Sequence, residues 1–166
     1  MSSPKTIERS AGFIVFKEEG GGVKYLFLRV SGRLDFPKGN IEKDEDELSA
    51  ALRELKEESG IAKVRIIPGF RRVLNYYYRR GGGTLVSKTL ILFLGEALGK
   101  EVSTSWEHEG FEWLSFEDAV KKIKYHGYRK ILEEAEEHRV KMVQGSLGRW
   151  INGDTGFQAS SDRGEK

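Results

Sequence analysis

The sequence predicts an α/β fold, a mixed sheet with helices on both faces. Short runs rich in Val, Ile, Phe and Tyr recur between Ala11 and Leu114, separated by glycine-containing turns. One highly charged segment, Asp44 to Ser59, carries apolar residues at helical spacing. Strands and helices interleave without the strict alternation of an all-parallel sheet.

The elements follow in order. Ala11 to Lys17 reads as a buried strand, and Gly20-Gly-Gly22 turns the chain. Val23 to Val30 reads as the hairpin partner, with Tyr25 and Phe27 on one side and Leu26 and Leu28 on the other. Ser31 to Asn40 is loop-like and contains Pro37 and Gly39. The helix from Asp44 to Ser59 is acidic at its start and has Gly60 as a stop signal. Val64 to Ile67 and Phe70 to Tyr78 read as two strands. The Gly81-Gly-Gly83 turn leads to a strand from Leu85 to Leu94, and Phe111 to Leu114 is a short strand. Ser115-Phe-Glu-Asp118 resembles a capping box opening a helix to about Lys124. A last helix is expected from about Tyr128 to Val143. Residues 1–144 are thus expected to form one domain, with a loose Gly/Ser/Asp-rich tail over 145–166.

Composition narrows the class. A chain of 166 residues can bury a core without staples. Hydrophobic residues at 38% and charged residues at 33% fit a globular protein rather than a disordered one. The net charge of +2 argues against a protein that coats nucleic acid. No apolar run approaches the roughly 20 residues that span a bilayer. Residues 1–9 lack the apolar core of a signal peptide, so the cytoplasm is expected and no membrane partner is. With no cysteine, thiolate metal sites and disulfides are excluded.

The chemistry concentrates in Gly39 to Ile61. On a helix, Glu54, Glu57 and Glu58 fall within an arc of about 100°. Leu48, Leu52 and Leu55 point to another side and should dock the helix on the sheet. Three crowded carboxylates repel unless cations sit among them. Hard oxygen donors of this kind suit Mg2+ or Mn2+, which also bind substrate phosphates. Arg53 is placed to orient Glu45 by a bidentate contact. Gly39 would let the loop turn tightly, so that the Lys38 carbonyl can face a metal. A solvated acidic helix face would show the same glutamates. The spacing decides between them. Gly39, five residues, Glu45, seven residues, then Arg53-Glu-Leu-Lys-Glu-Glu-Ser-Gly-Ile61 matches the Nudix box at every defining position.

The chain thus resembles the Nudix hydrolases, which cut nucleoside diphosphates linked to another group. The resemblance implies an α/β/α sandwich in which the box forms a catalytic loop-helix-loop. It implies that Glu54, Glu57, Glu58 and the Lys38 carbonyl hold Mg2+, with Arg53 supporting them. Water would attack phosphorus while the metal neutralises developing charge. Glu54 or a carboxylate outside the box would be the base.

A narrower resemblance covers residues 10 to about 135. Ala11-Gly-Phe-Ile-Val-Phe16, Phe36-Pro-Lys-Gly39, Gly69-Phe70, Leu74-Asn-Tyr76, Lys88-Thr89, Glu107-His108 and Trp113-Leu114 look like the asymmetric diadenosine tetraphosphate hydrolases. That subfamily splits diadenosine tetraphosphate into ATP and AMP. By this resemblance Glu107 is a metal ligand or base, Lys38 and Lys88 contact polyphosphate, and Tyr76 and Tyr125 line the substrate cleft. His108 is a further candidate for phosphate contact. A long anion needs lysine charge, and an adenine ring needs a stacking partner. Because Tyr76, Tyr77 and Tyr78 alternate along a strand, at least one should enter the core. Leu34 departs from the pattern, since many relatives carry Trp there. Arg71, Arg72, Arg79 and Arg80 flank the tyrosines and could steer polyphosphate or an RNA 5′ end. An RNA 5′ pyrophosphohydrolase is therefore the second enzymatic reading, and a nucleotide-sensing module without turnover is the third.

Overall fold

A computed structural model describes residues 5–99 and 110–152. The chain divides into two compact units after Leu132. The first holds a mixed sheet built from β1 (Lys5–Glu19), β2 (Gly22–Val30), β3 (Arg33–Asp35), β4 (Lys38–Asn40), β5 (Val64–Arg79), β6 (Leu85–Ala97) and β7 (Phe111–Leu114). The strand order is β3-β2-β1-β6-β5, with β4 paired to β1 and β7 to β2. The β1–β6 pair is parallel and the others are antiparallel.

Helix α1 (Glu47–Ser59) covers one face. Ala50, Ala51 and Leu55 bury against Ala11, Phe13, Val15 and Leu26, with Leu48 and Leu52 partly buried at the margin. On the opposite face Phe27 packs on Phe36 at 5.4 Å, and Phe36 on Tyr128 at 4.8 Å between ring centroids. Tyr128 belongs to α3 (His126–Asn152), and α2 (Phe116–Lys122) precedes it. With both faces of β2 covered, Tyr25, Leu26, Phe27 and Leu28 are all buried rather than alternating between core and solvent.

Local chemistry sets the boundaries. Helix α1 begins at Glu47, not Asp44, because Asp44 has φ 67° and cannot enter a right-handed helix. Asp46 caps it instead, accepting from the Ser49 N–H at 2.7 Å. Gly60 ends it in the left-handed conformation, as expected. The two strands expected between Val64 and Tyr78 are one, β5. Pro68-Gly69 forms a bulge within it, where the pairing with β6 shifts between Ile66 and Arg71. None of Tyr76, Tyr77 and Tyr78 enters the core: Tyr76 is half-buried, and Tyr77 and Tyr78 are exposed. The expected loop from Ser31 to Asn40 carries the short strands β3 and β4. Ser115 caps α2 by accepting from the Asp118 N–H at 3.1 Å.

The last helix continues to Asn152, nine residues past the expected Val143. Gly145 does not end it, since glycine only weakens a helix interior when no capping geometry forms there. The second unit contains the remainder of this helix, with Arg139 paired to Glu136 at 3.0 Å and Lys141 to Glu137 at 3.5 Å. The rest of the expected tail, 153–166, lies outside the described residues. Among the described residues no helix is long and apolar enough to cross a membrane.

The segment Phe36 to Asn40 is seated directly on β1. Phe13 N–H donates to the Pro37 carbonyl at 3.1 Å and Ile41 N–H to the Arg9 carbonyl at 2.9 Å. A Cβ at Gly12 would lie 2.3 Å from the Pro37 oxygen and 2.6 Å from the Lys38 Cβ. Gly12→Ala should therefore displace this segment and cost ~1–3 kcal/mol, a Tm loss of about 3–10 °C by thermal melting. Gly22→Ala is the control, because a Cβ there meets only the Glu19 oxygen at 3.9 Å. A second expectation concerns acid. The Arg53 side chain and the Glu42 N–H hold the Glu45 carboxyl down at about 2. The folded value lies below the unfolded one. The contribution is therefore complete above about pH 4.5 and disappears as pH falls toward 2. Melting should show Glu45→Gln losing less Tm than the wild type between pH 5 and pH 2.

Candidate active site

The acidic side of α1 faces the Phe36–Asn40 segment. Glu58 accepts the Lys38 backbone N–H at 3.1 Å. The Glu54 carboxylate lies so close to Gly39 that a Cβ there would be 2.0 Å from its carboxyl carbon. Gly39 is thus required for close approach, not for the tight turn expected of it, and its φ is not positive.

Arg53 organises the outer edge. Its guanidinium grips Glu45 through two bonds of 2.7 and 2.9 Å, as its spacing predicted. It also donates to Glu54 at 2.9 Å, to Glu57 at 3.3 Å and to the Asn40 carbonyl at 3.0 Å. Glu57 is drawn outward: its side chain is 58% exposed, against 14% for Glu54. Glu54 and Glu58 are therefore the pair that the fold brings inward. Among the described residues no three acidic or imidazole side chains converge as a ready-made metal cage.

Burial pushes the Glu58 carboxyl up to about 7, and the neighbouring Glu54 adds repulsion against the relief given by the Lys38 N–H. Glu54 is also raised by burial, against the pull of Arg53. Two half-buried carboxylates of this kind gain from a cation placed between them, and their oxygens suit a hard divalent ion. In this respect the residues fit a bound Mg2+.

Lys38 joins this acidic pair to a cleft of about 600 Å³. The cleft is lined by Lys38, Lys88, Tyr76 and Tyr125, all expected, and also by Arg33, Leu34, Asp35, Tyr78, Lys124 and Tyr128 among others. Lys38 Nζ pairs with Asp35 at 3.1 Å. Burial alone would lower its pKa, but Asp35 outweighs that and holds it above the ordinary lysine value. Asp35 also accepts the Tyr128 hydroxyl at 2.7 Å and the Phe36 N–H at 2.9 Å. Tyr76 stands edge-on to Tyr125 at 6.0 Å, and Tyr125 edge-on to Tyr128 at 5.3 Å. The rings form a wall from core to cleft.

Sequence reasoning missed Asp35, Tyr78, Arg33, Lys124 and Tyr128. Asp35 precedes the Phe36-Pro-Lys-Gly39 segment that was singled out, so its position was a usable signal. Tyr128 comes from a helix distant in sequence, and only the fold brings it here. Glu107 and His108 lie outside the described residues. The arginines beside the tyrosines are committed elsewhere. Arg71 grips Glu47 at 2.8 and 2.9 Å, Arg79 donates to the Gly83 carbonyl at 2.8 Å, and Arg80 pairs with Glu8. Arg72 lies over the Phe70 ring at 4.4 Å.

Comparison with known proteins gives a consistent picture. The mouse bis(5′-nucleosyl)-tetraphosphatase [asymmetrical] is 32% identical over 142 residues, spanning 78% of this chain and 93% of the relative. The RNA pyrophosphohydrolase of Bartonella bacilliformis is 28% identical over 155 residues, spanning 76% and 89%. Among solved structures, a Caenorhabditis elegans Ap4A hydrolase binary complex superposes with a TM-score of 0.69 at 27% identity, covering 83% of this chain and 98% of that one. The family model of the NUDIX domain matches residues 6–135, and on that match the chain belongs to the Nudix family and is a Nudix hydrolase.

Proposed function

We propose that this hydrolase cleaves dinucleoside polyphosphates asymmetrically, splitting diadenosine tetraphosphate into ATP and AMP by attack of water on phosphorus. The observation that carries the reading is the double role of Lys38. Its N–H meets Glu58 on the acidic helix, while its side chain lines a cleft with tyrosines and a second lysine. A phosphoanhydride chain laid along Lys38 and Lys88 would bring a phosphorus beside Glu54 and Glu58. Tyr76 and Tyr125 offer faces and edges for a base. Relatives named as asymmetric tetraphosphatases from mouse, pig and rat support the substrate class.

Glu54 and Glu58, with Glu57 and the Lys38 carbonyl, would hold Mg2+, and Mn2+ would fit the same donors. A metal held there would supply charge neutralisation at phosphorus and would lower the pKa of water. The chain's own residues do the rest. Arg53 fixes Glu54 and the box loop through Glu45. Lys38 and Lys88 place positive charge along the polyphosphate. Glu54 is one candidate to accept the proton of the attacking water and Glu107 is the other. Leu34 at the cleft edge gives an aliphatic contact where many relatives carry Trp.

The second reading, removal of pyrophosphate from an RNA 5′ end, draws on the RNA pyrophosphohydrolase relatives. The pairing of Arg71 with Glu47 and of Arg80 with Glu8 leaves fewer uncommitted cations on β5 and the turn that follows it for an RNA chain. Product analysis separates the two. Diadenosine tetraphosphate with Mg2+ should give equal ATP and AMP, and chelator should stop it. Faster release of pyrophosphate from triphosphorylated RNA would reverse the assignment.

Glu58→Gln should lower kcat by roughly a hundredfold or more while Tm stays within a few degrees, since it removes an anionic ligand without changing shape. Wild-type turnover in that variant would remove Glu58 from the metal set. Tyr76→Ala should raise KM about five- to thirtyfold with little change in kcat, the loss expected from one stacked base. An unchanged KM would take Tyr76 out of the substrate's path.

A further inference from the structure

One carboxylate in contact with two cleft-lining residues is unexplained by the motif. Glu8 lies on β1, outside the box and outside every segment that carries the resemblance. Its position is fixed by register. Glu8 pairs with Lys88 across the parallel β1–β6 ladder, and Lys88 pairs with Tyr76 across the antiparallel β6–β5 ladder. The three residues therefore form one row across adjacent strands, with side chains on the same face. That face is the cleft face, because Tyr76 and Lys88 both line the cleft.

Glu8 binds three groups from the β5–β6 hairpin. It accepts the Tyr78 hydroxyl at 2.9 Å, pairs with Arg80, and lies 3.6 Å from Lys88 Nζ. Lys88 Nζ also approaches the Asn40 side-chain oxygen at 3.4 Å, and that oxygen accepts from Ser10 at 2.8 Å. Both charges of the Glu8–Lys88 pair are largely shielded, with side-chain exposures of 16% and 14%. Two cleft residues, Tyr78 and Lys88, thus share one anchor.

We infer that Glu8 is a positioning residue that holds Lys88 and Tyr78 at the cleft wall in the arrangement that receives the substrate's phosphates. The inference rests on the proposed role of Lys88 toward polyphosphate. Its electrostatics run opposite to a simple charge rule. An added carboxylate should repel an anionic ligand, yet here it fixes a flexible lysine whose head would otherwise sample many rotamers. Burial and the nearby Lys38 also lower the pKa of Lys88, and Glu8 opposes that shift. Ligand binding would then gain more from a fixed ammonium than it loses to one already neutralised carboxylate.

The test is binding without turnover, in chelator. Dissociation constants of diadenosine tetraphosphate and of inorganic tripolyphosphate would be measured calorimetrically for wild type, Glu8→Gln, Lys88→Met and the double variant. Glu8→Gln keeps the side-chain shape and an acceptor for Tyr78, so melting should show the fold retained. The expected result is binding roughly five- to tenfold weaker in Glu8→Gln, with less than about a twofold further effect in the Lys88→Met background. Tighter binding in Glu8→Gln would show that the carboxylate only repels the ligand. An equal loss with and without Lys88 would show that it acts by another route. Either result overturns the proposal. If tripolyphosphate gives the expected cycle while the dinucleotide does not bind, the positioning role stands and the proposed substrate is wrong. If the wild type binds neither ligand, both in chelator and with Ca2+ in place of Mg2+, Lys88 is not at an anion site and the proposal falls.

Discussion

The structure depends on how tightly the segment Phe36 to Asn40 is wedged between β1 and α1. Gly12 allows the approach from the strand side and Gly39 from the helix side, each where a Cβ would collide with its neighbour. Backbone bonds from Phe13 to Pro37 and from Ile41 to Arg9 fix the segment along β1. With the backbone held there, Lys38 presents its N–H to Glu58 and its ammonium to Asp35. A looser segment would separate the acidic helix from the cleft, and neither half alone resembles a site for a charged phosphate chain. Precise placement by packing of this sort is what allows a preorganised site to act on a substrate without reorganising first.

Charge compensation is the second organising feature. The inner cations are each given one carboxylate, Lys38 by Asp35 and Lys88 by Glu8. On the helix the order is inverted: one cation, Arg53, serves Glu45, Glu54 and Glu57. Glu58 accepts the Lys38 N–H, and burial raises it. The fold thus brings together two carboxylates raised by burial, Glu54 and Glu58, beside a cleft that holds two lysines. A divalent ion would offset the cost of burying the carboxylates, and a polyphosphate would complement both the ion and the lysines.

Much of this was legible in the sequence, and the failures have identifiable causes. The box spacing located α1, the Arg53–Glu45 grip and the left-handed Gly60, because those depend on residues close in the chain. Lys38, Lys88, Tyr76 and Tyr125 were found by resemblance and do share one cleft. The expectation of a buried tyrosine failed because β5 is an edge strand and runs past the part of the sheet that the helices cover. The role of Gly39 was misread because a close approach from the side chain of Glu54, fifteen positions further along the chain, leaves no trace in local turn chemistry. The last helix was cut short at Val143, since a Gly/Ser-rich composition reads as loop while the backbone stays helical. Tyr128 and Glu8 were invisible for a different reason. Their partners lie 93 and 80 residues away, and those links exist only once the sheet and α3 are assembled.

The division between chemistry and selectivity follows from these placements. The box supplies the acidic pair, and the chain is similar both to a protein named as an asymmetrical tetraphosphatase and to one named as an RNA pyrophosphohydrolase. Residues that differ in where they come from, Leu34 and Asp35 on β3, Tyr78 on β5 and Tyr128 on α3, line the cleft instead, and Glu8 on β1 bonds to Tyr78. On the proposed function, changing any of these would alter how a phosphate chain and its base are received without touching Glu54 or Glu58. The wall of rings from Phe27 through Phe36, Tyr128 and Tyr125 to Tyr76 ties that cleft to the core. A substitution deep in the core at Phe36 would therefore reach the binding surface through packed rings, even though Phe36 is itself buried away from any ligand. On the proposed function, substrate choice would in that sense be a property of the whole sheet face, while bond cleavage would centre on the acidic side of α1.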